Sequence, residues 1–148
     1  MNNLMLSAKG LFLSTLMLSA FAAKAESNWS IGHGYGSGGV VGVQYQWLQD
    51  DIKWTAALGV VGVAIGVQHS LGDSRKHSIG LAAGVEDFTA EDGFLVATYQ
   101  YYPSGFTKAG WRLGLSAGAR REDEASFFAN YGERQTKGVI AFELGYQF

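Results

Sequence analysis

The last twelve residues, Lys137 to Phe148 (KGVIAFELGYQF), alternate without a break. Gly138, Ile140, Phe142, Leu144, Tyr146 and Phe148 form one set, apolar and aromatic. Lys137, Val139, Ala141, Glu143, Gly145 and Gln147 form the other, small or polar. A period of two defines a strand with two unlike faces. Such a strand needs neighbours that share its division, and the rest of the chain supplies them.

Trp29, Ile31, His33 and Tyr35 alternate with Ser30, Gly32 and Gly34. After a glycine-rich turn at Ser37-Gly38-Gly39 come Val41, Val43, Tyr45 and Trp47, against Val40, Gly42, Gln44 and Gln46. Asp50-Asp51 is a turn signal. Ile52, Trp54, Ala56, Leu58 and Val60 then oppose Lys53, Thr55, Ala57 and Gly59. A reversal near Val61-Gly62 leads to Val63, Ile65, Val67, His69 and Leu71, against Ala64, Gly66, Gln68 and Ser70. Beyond the turn at Gly72 to Arg75, His77, Ile79, Leu81, Ala83 and Val85 alternate with Ser78, Gly80, Ala82, Gly84 and Glu86. A polar loop from Asp87 to Asp92 precedes Leu95, Ala97, Tyr99 and Tyr101, where Phe94 and Val96 interrupt an otherwise polar opposite face. After Pro103-Ser104-Gly105, Trp111, Leu113, Leu115, Ala117 and Ala119 alternate with Arg112, Gly114, Ser116, Gly118 and Arg120. The longest loop, Arg121 to Gln135, carries Phe127, Phe128 and Tyr131. The pattern predicts eight strands.

The start of the chain reads differently. Lys9, the apolar run Leu11 to Phe21 and Ala23-Lys24-Ala25 have the three parts of a signal peptide. Cleavage between Ala25 and Glu26 leaves one domain, 26–148. It also removes Lys9 and Lys24, taking the net charge from −2 to −4. The remaining chain has no apolar run long enough for a membrane helix. It has no cysteine, so it is not a disulfide-stapled exported scaffold and not a lipoprotein. A mildly acidic balance without a basic run argues against nucleic acid as a partner.

The polarity of the two faces decides what kind of barrel this is. A soluble barrel would bury the apolar set and show a charged outer face. Here the opposite set is Gly, Ala, Ser, Thr and Gln with a few charges: Lys53, Glu86, Arg112, Arg120 and Glu143, besides Lys137. It is too small and too sparsely charged for a good water-facing surface, and its two signs can pair inside a lumen. The expected fold is therefore an all-β, eight-stranded antiparallel up-and-down transmembrane β-barrel, apolar outward and small or polar inward. Closure satisfies backbone groups that hydrocarbon cannot. With both termini on one side, Trp29, Trp47, Trp54 and Trp111 all fall near that end, as interface aromatics do.

The alternating last strand with a final aromatic resembles the closing strand of small Gram-negative outer-membrane β-barrels of the OmpA and OmpX class. That resemblance implies location in the cell outer membrane and contact with the bilayer and lipopolysaccharide. It also implies that Phe142, Leu144, Tyr146 and Phe148 are read by the barrel-assembly machinery. Relatives of this class serve structural, surface-contact or stress-resistance roles, generally as monomers and without a cofactor. The expectation is such a non-enzymatic role with a lumen plugged by salt bridges among Lys53, Glu86, Arg112, Arg120 and Glu143. Alternatives are an outer-membrane lipid-modifying enzyme, acting by acyl transfer or deacylation, and a soluble exported barrel carrying an apolar ligand.

Two constellations could carry chemistry. His33 and Ser37 lie near each other in sequence, but a serine nucleophile needs an oriented base, and no carboxylate or His-x-Ser pair is evident on one face. His69 and His77 flank the turn containing Asp73, and would face each other if paired residue numbers sum to about 146. Two imidazoles and a carboxylate can hold a metal. The blander reading of all three histidines, as interfacial residues with polar tips, is preferred.

Overall fold

The computed structural model describes residues 28–87, 90–122 and 135–148. The proposed leader, and the loop aromatics Phe88, Phe127, Phe128 and Tyr131, lie outside them. The described chain forms eight strands: β1 (Trp29–Gly34), β2 (Gly39–Gln49), β3 (Ile52–Gly59), β4 (Gly62–Leu71), β5 (His77–Glu86), β6 (Ala90–Tyr101), β7 (Gly110–Glu122) and β8 (Gln135–Gln147). Each pairs antiparallel with its sequence neighbour, and β1 pairs with β8, closing an up-and-down barrel. We call the end that holds Trp29 and Phe148 the terminal end, and the other the distal end.

The period-two pattern becomes the wall. Among the described residues, sixteen polar or charged side chains are buried, against eight apolar ones, and most large apolar side chains on the strands point outward. Leu58, Ile65, Leu81, Leu95, Leu115 and Ile140 are each more than half exposed. Their strand neighbours Ala57, Ala64, Ala82, Val96 and Ser116 are buried, as alternation requires.

The chain departs from the plain alternation at β1, which is only six residues long. At Gly34 (φ 111°) the backbone leaves the wall, and Tyr35–Ser37 forms a single 3₁₀ turn inside the barrel. Tyr35, expected on the outward face, is buried, because this turn carries it into the lumen. One row of paired positions makes room: Arg112 lies opposite Gly145, Gly145 opposite Gly32, Gly32 opposite Gly42, and Gly42 opposite Gly59. A Cβ on Gly42 would strike the Ser37 carbonyl, and one on Gly59 the Gly38 carbonyl. Glycine is needed there because another stretch of backbone approaches the wall.

This detour has a cost at the β1–β8 join. It has four paired positions, from Ser30↔Gln147 to His33↔Leu144. The β7–β8 join has thirteen, from Gly110↔Gln147 to Glu122↔Gln135. At the other weakly marked reversal, the turn falls at Val60-Val61, and Gly62 already begins β4.

Candidate functional site: the filled lumen and its two mouths

The centre of the lumen is a polar network set by strand register. Gln100 lies opposite Gly114, and Gly114 opposite Glu143. With no side chain between them, Gln100 Nε2 donates to Glu143 Oε2 at 2.7 Å. The Gln100 carbonyl accepts from Arg112 Nη1 at 3.3 Å. Arg112 and Glu143, two members of the expected charge network, therefore meet through an amide rather than head-on. Their other bonds explain the arrangement: both reach the inserted turn. Glu143 Oε1 accepts from the Gly36 N–H at 3.2 Å, and Arg112 Nη2 donates to Ser37 Oγ at 2.9 Å. Gln44 Nε2 donates to the Gly36 carbonyl. Below the turn, Ser30 Oγ donates to Gln44 Oε1 at 3.0 Å and accepts from Gln46 Nε2 at 2.7 Å. Buried polar groups are tolerated when so satisfied.

The distal third is built around an apolar cluster. Tyr35 packs on Phe94 with ring centroids 4.8 Å apart, within a cluster of Ala57, Ala64, Ala82 and Val96. Phe94 and Val96 interrupt the polar face because they meet the inserted Tyr35. Arg120 Nη1 approaches Tyr35 Oη at 3.5 Å. Glu86 is buried nearby, with its carboxylate against Gly39.

The terminal mouth is stoppered by the β6–β7 connection. Tyr102 and Phe106 are both 1% exposed, and their rings meet edge to face at 5.3 Å. Their backbone amides bond the Lys76 and Arg75 carbonyls at 2.7 Å, pinning this loop to the β4–β5 turn. Tyr102 Oη lies 2.6 Å from Gln68 Oε1 and 2.8 Å from Gln100 Oε1, so its single proton serves one carbonyl at a time. Burial pushes this hydroxyl up to about 12, so it remains a donor at neutral pH. Lys53, 3% exposed, donates to the Phe106 carbonyl at 2.5 Å and to Gln147 Oε1 at 3.0 Å. Its ammonium also sits 4.1 Å from the Phe106 ring centre and 4.4 Å from that of Tyr102.

Outside, the aromatics gather at the terminal end. Trp29, Trp47, Trp54 and Trp111 are all outward and exposed, and Trp47 lies opposite Trp54. Ring contacts link Trp29 to Tyr45, Tyr45 to Trp47, Trp111 to Tyr146, and Tyr146 to Phe148 at 5.1–6.1 Å. Phe142 and Leu144 point outward on the same strand.

The two sequence constellations do not assemble. Ser37 Oγ is inside, bonded to Arg112, whereas the exposed His33 turns Nδ1 to the Val40 carbonyl at 2.7 Å. In the β4–β5 hairpin Leu71 pairs with His77 and His69 with Ile79, so paired numbers sum to 148. The two imidazoles are offset by two residues instead of facing. The reason is a longer turn than assumed, 72–76. His77 instead bonds Tyr99 Oη at 2.7 Å. Among the described residues no group of three His, Cys, Asp or Glu side chains comes together.

Gln44 and Gln100, expected on the inward face, do line the lumen; Tyr102 and Phe106 of the β6–β7 connection and the inward turn of Tyr35 are what alternation alone does not indicate. No protein-family model, curated protein or solved structure matches the chain.

Proposed function

We propose that this chain is an integral outer-membrane β-barrel that acts as a structural or surface-interaction element, with its lumen closed by its own side chains. One observation carries the reading: the wall is apolar outward and polar inward, the reverse of a water-soluble barrel. Large apolar side chains exposed around the whole circumference are costly in water and match a hydrocarbon surround. The linked aromatic girdle supports the orientation, since Trp and Tyr favour the headgroup level. The terminal end then faces the periplasm and the distal end the outside. In this setting Phe142, Leu144, Tyr146 and Phe148 are the residues offered to the assembly machinery, and lipopolysaccharide is the distal neighbour. No open path is needed for such a role, and the inserted turn and the Tyr102–Phe106 stopper fill the interior at two levels.

Cell fractionation with heat-dependent gel mobility tests the location and the closed barrel. Planar-bilayer recording tests the filled lumen. Recovery of a folded barrel in the soluble periplasmic fraction overturns the membrane reading, and steady single-channel conductance overturns the closed one.

A further inference from the structure

The terminal mouth holds a cavity of about 410 Å³, lined by Asn28, Gln46, Lys53, Arg75, Thr107 and Gln147 with apolar walls from Leu48, Phe106 and Phe148. That volume lies in the range of small-ligand sites. Its lining includes two cationic side chains and no Asp or Glu side chain. Lys53 stands at the inner wall and Arg75 at the rim. The Lys53 ammonium has three N–H donors, and its bonds are to one carbonyl and one amide oxygen, with no ion pair to a carboxylate among the described residues. Neutral acceptors and ring faces hold it in place but leave its charge uncancelled. Arg75 bonds Asp51 through Nη2 at 2.6 Å, and guanidinium has five donors in all. Arg112, the next cation inward, is already coupled to Glu143 through Gln100. Lys53 is thus a buried cation with no ion-pair partner among the described residues, and it faces this cavity beside the Asp51-paired Arg75.

We propose that the terminal mouth is a binding site for a small soluble organic anion, a carboxylate or phosphate carried on a compact apolar body. The anionic head bonds Lys53 and Arg75, and the body packs on Leu48, Phe106 and Phe148. The size of the cavity favours a free ligand over a lipid, whose chains would have no room beside the Tyr102–Phe106 stopper. The inference rests on the barrel and its mouth, not on where the barrel resides.

Calorimetric titration of the folded protein in neutral detergent, at constant ionic strength, provides the test. Phenyl phosphate is the free probe, and micelles doped with phosphatidylglycerol present the same headgroup chemistry as a lipid. Saturable binding of phenyl phosphate is expected, weakened about tenfold or more by Lys53→Met, as loss of a charge-assisted bond implies. Arg75→Gln, at an exposed rim position, keeps the test valid if Lys53→Met does not fold; it is expected to weaken binding several-fold. No binding of either phenyl phosphate or the doped micelles, or equal binding of phenyl phosphate by wild type and Arg75→Gln, overturns the site. Heat with the doped micelles and none with phenyl phosphate overturns the free-ligand assignment.

Discussion

Gln100 stands between Arg112 and Glu143, bonded to both, because Gly114 leaves the space its side chain crosses. One amide thus joins two buried charges, and each charge also holds the turn that fills the lumen. Removing Glu143 leaves Arg112 uncompensated, so Glu143→Ala is expected to cost roughly 3–5 kcal/mol in unfolding stability. In a double-mutant cycle, Glu143→Ala and Arg112→Ala should couple by about 0.5–3 kcal/mol. Additive losses, measured by equilibrium unfolding in detergent, would mean that the amide transmits nothing.

Gly42 and Gly59 admit the inserted turn at backbone contact distance. Gly59→Val puts a branched side chain where the Gly38 carbonyl lies. Overpacking of this kind costs about 1–3 kcal/mol. The variant should also drive Tyr35–Ser37 out of the lumen. Planar-bilayer recordings should then be silent for the wild type and show conductance for Gly59→Val. Silence from a variant that folds would show that the remaining side chains close the barrel without the turn.

Orientation of the wall is testable one side chain at a time. Leu115 is outward at mid-strand, whereas Ser74 is exposed in the β4–β5 turn. If lipid surrounds the wall, Leu115→Arg costs roughly 2–4 kcal/mol and Ser74→Arg close to nothing. Equal tolerance, scored by the fraction of heat-modifiable protein, contradicts the proposed surround.

Tyr102 links stability to pH. Its value rises from 10.0 in the unfolded reference to about 12 in the fold, where burial disfavours the phenolate. A raised value stabilises the fold fully below pH 10, and that contribution is lost as pH rises through 10 toward 12. Tyr102→Phe should lose stability at neutral pH, by about 1–3 kcal/mol for the unsatisfied acceptors. It should also flatten the alkaline fall. A variant with the wild-type alkaline profile would place the titration elsewhere.

Much of the barrel was legible because its strands repeat one simple rule. Alternation at Leu113 to Ala119 and at Gly138 to Phe148 fixes which side chains go in, and a closed antiparallel wall follows from eight such runs. The lumen was less legible. Its charged members were named from their place on the inward set, but the bonds between them depend on cross-strand register, and a shift from 146 to 148 in one hairpin separates His69 from His77. The turn at Tyr35 breaks the very alternation used to read it. Its trace lay in the glycines of four neighbouring strands, Gly145, Gly32, Gly42 and Gly59, which only pairing brings into one row. Tyr102 and Phe106 belong to a connection, where no periodicity says which way a ring turns.

The four-position join between β1 and β8 lies beside the point where the chain dives inward at Gly34. Above His33↔Leu144 the neighbour of β8 is no longer a strand of the wall, and Glu143 bonds the Gly36 N–H instead. Past the last paired position, a side chain of β8 thus holds the contents of the barrel. Wall and filling therefore share one short seam, and a break there would loosen both at once.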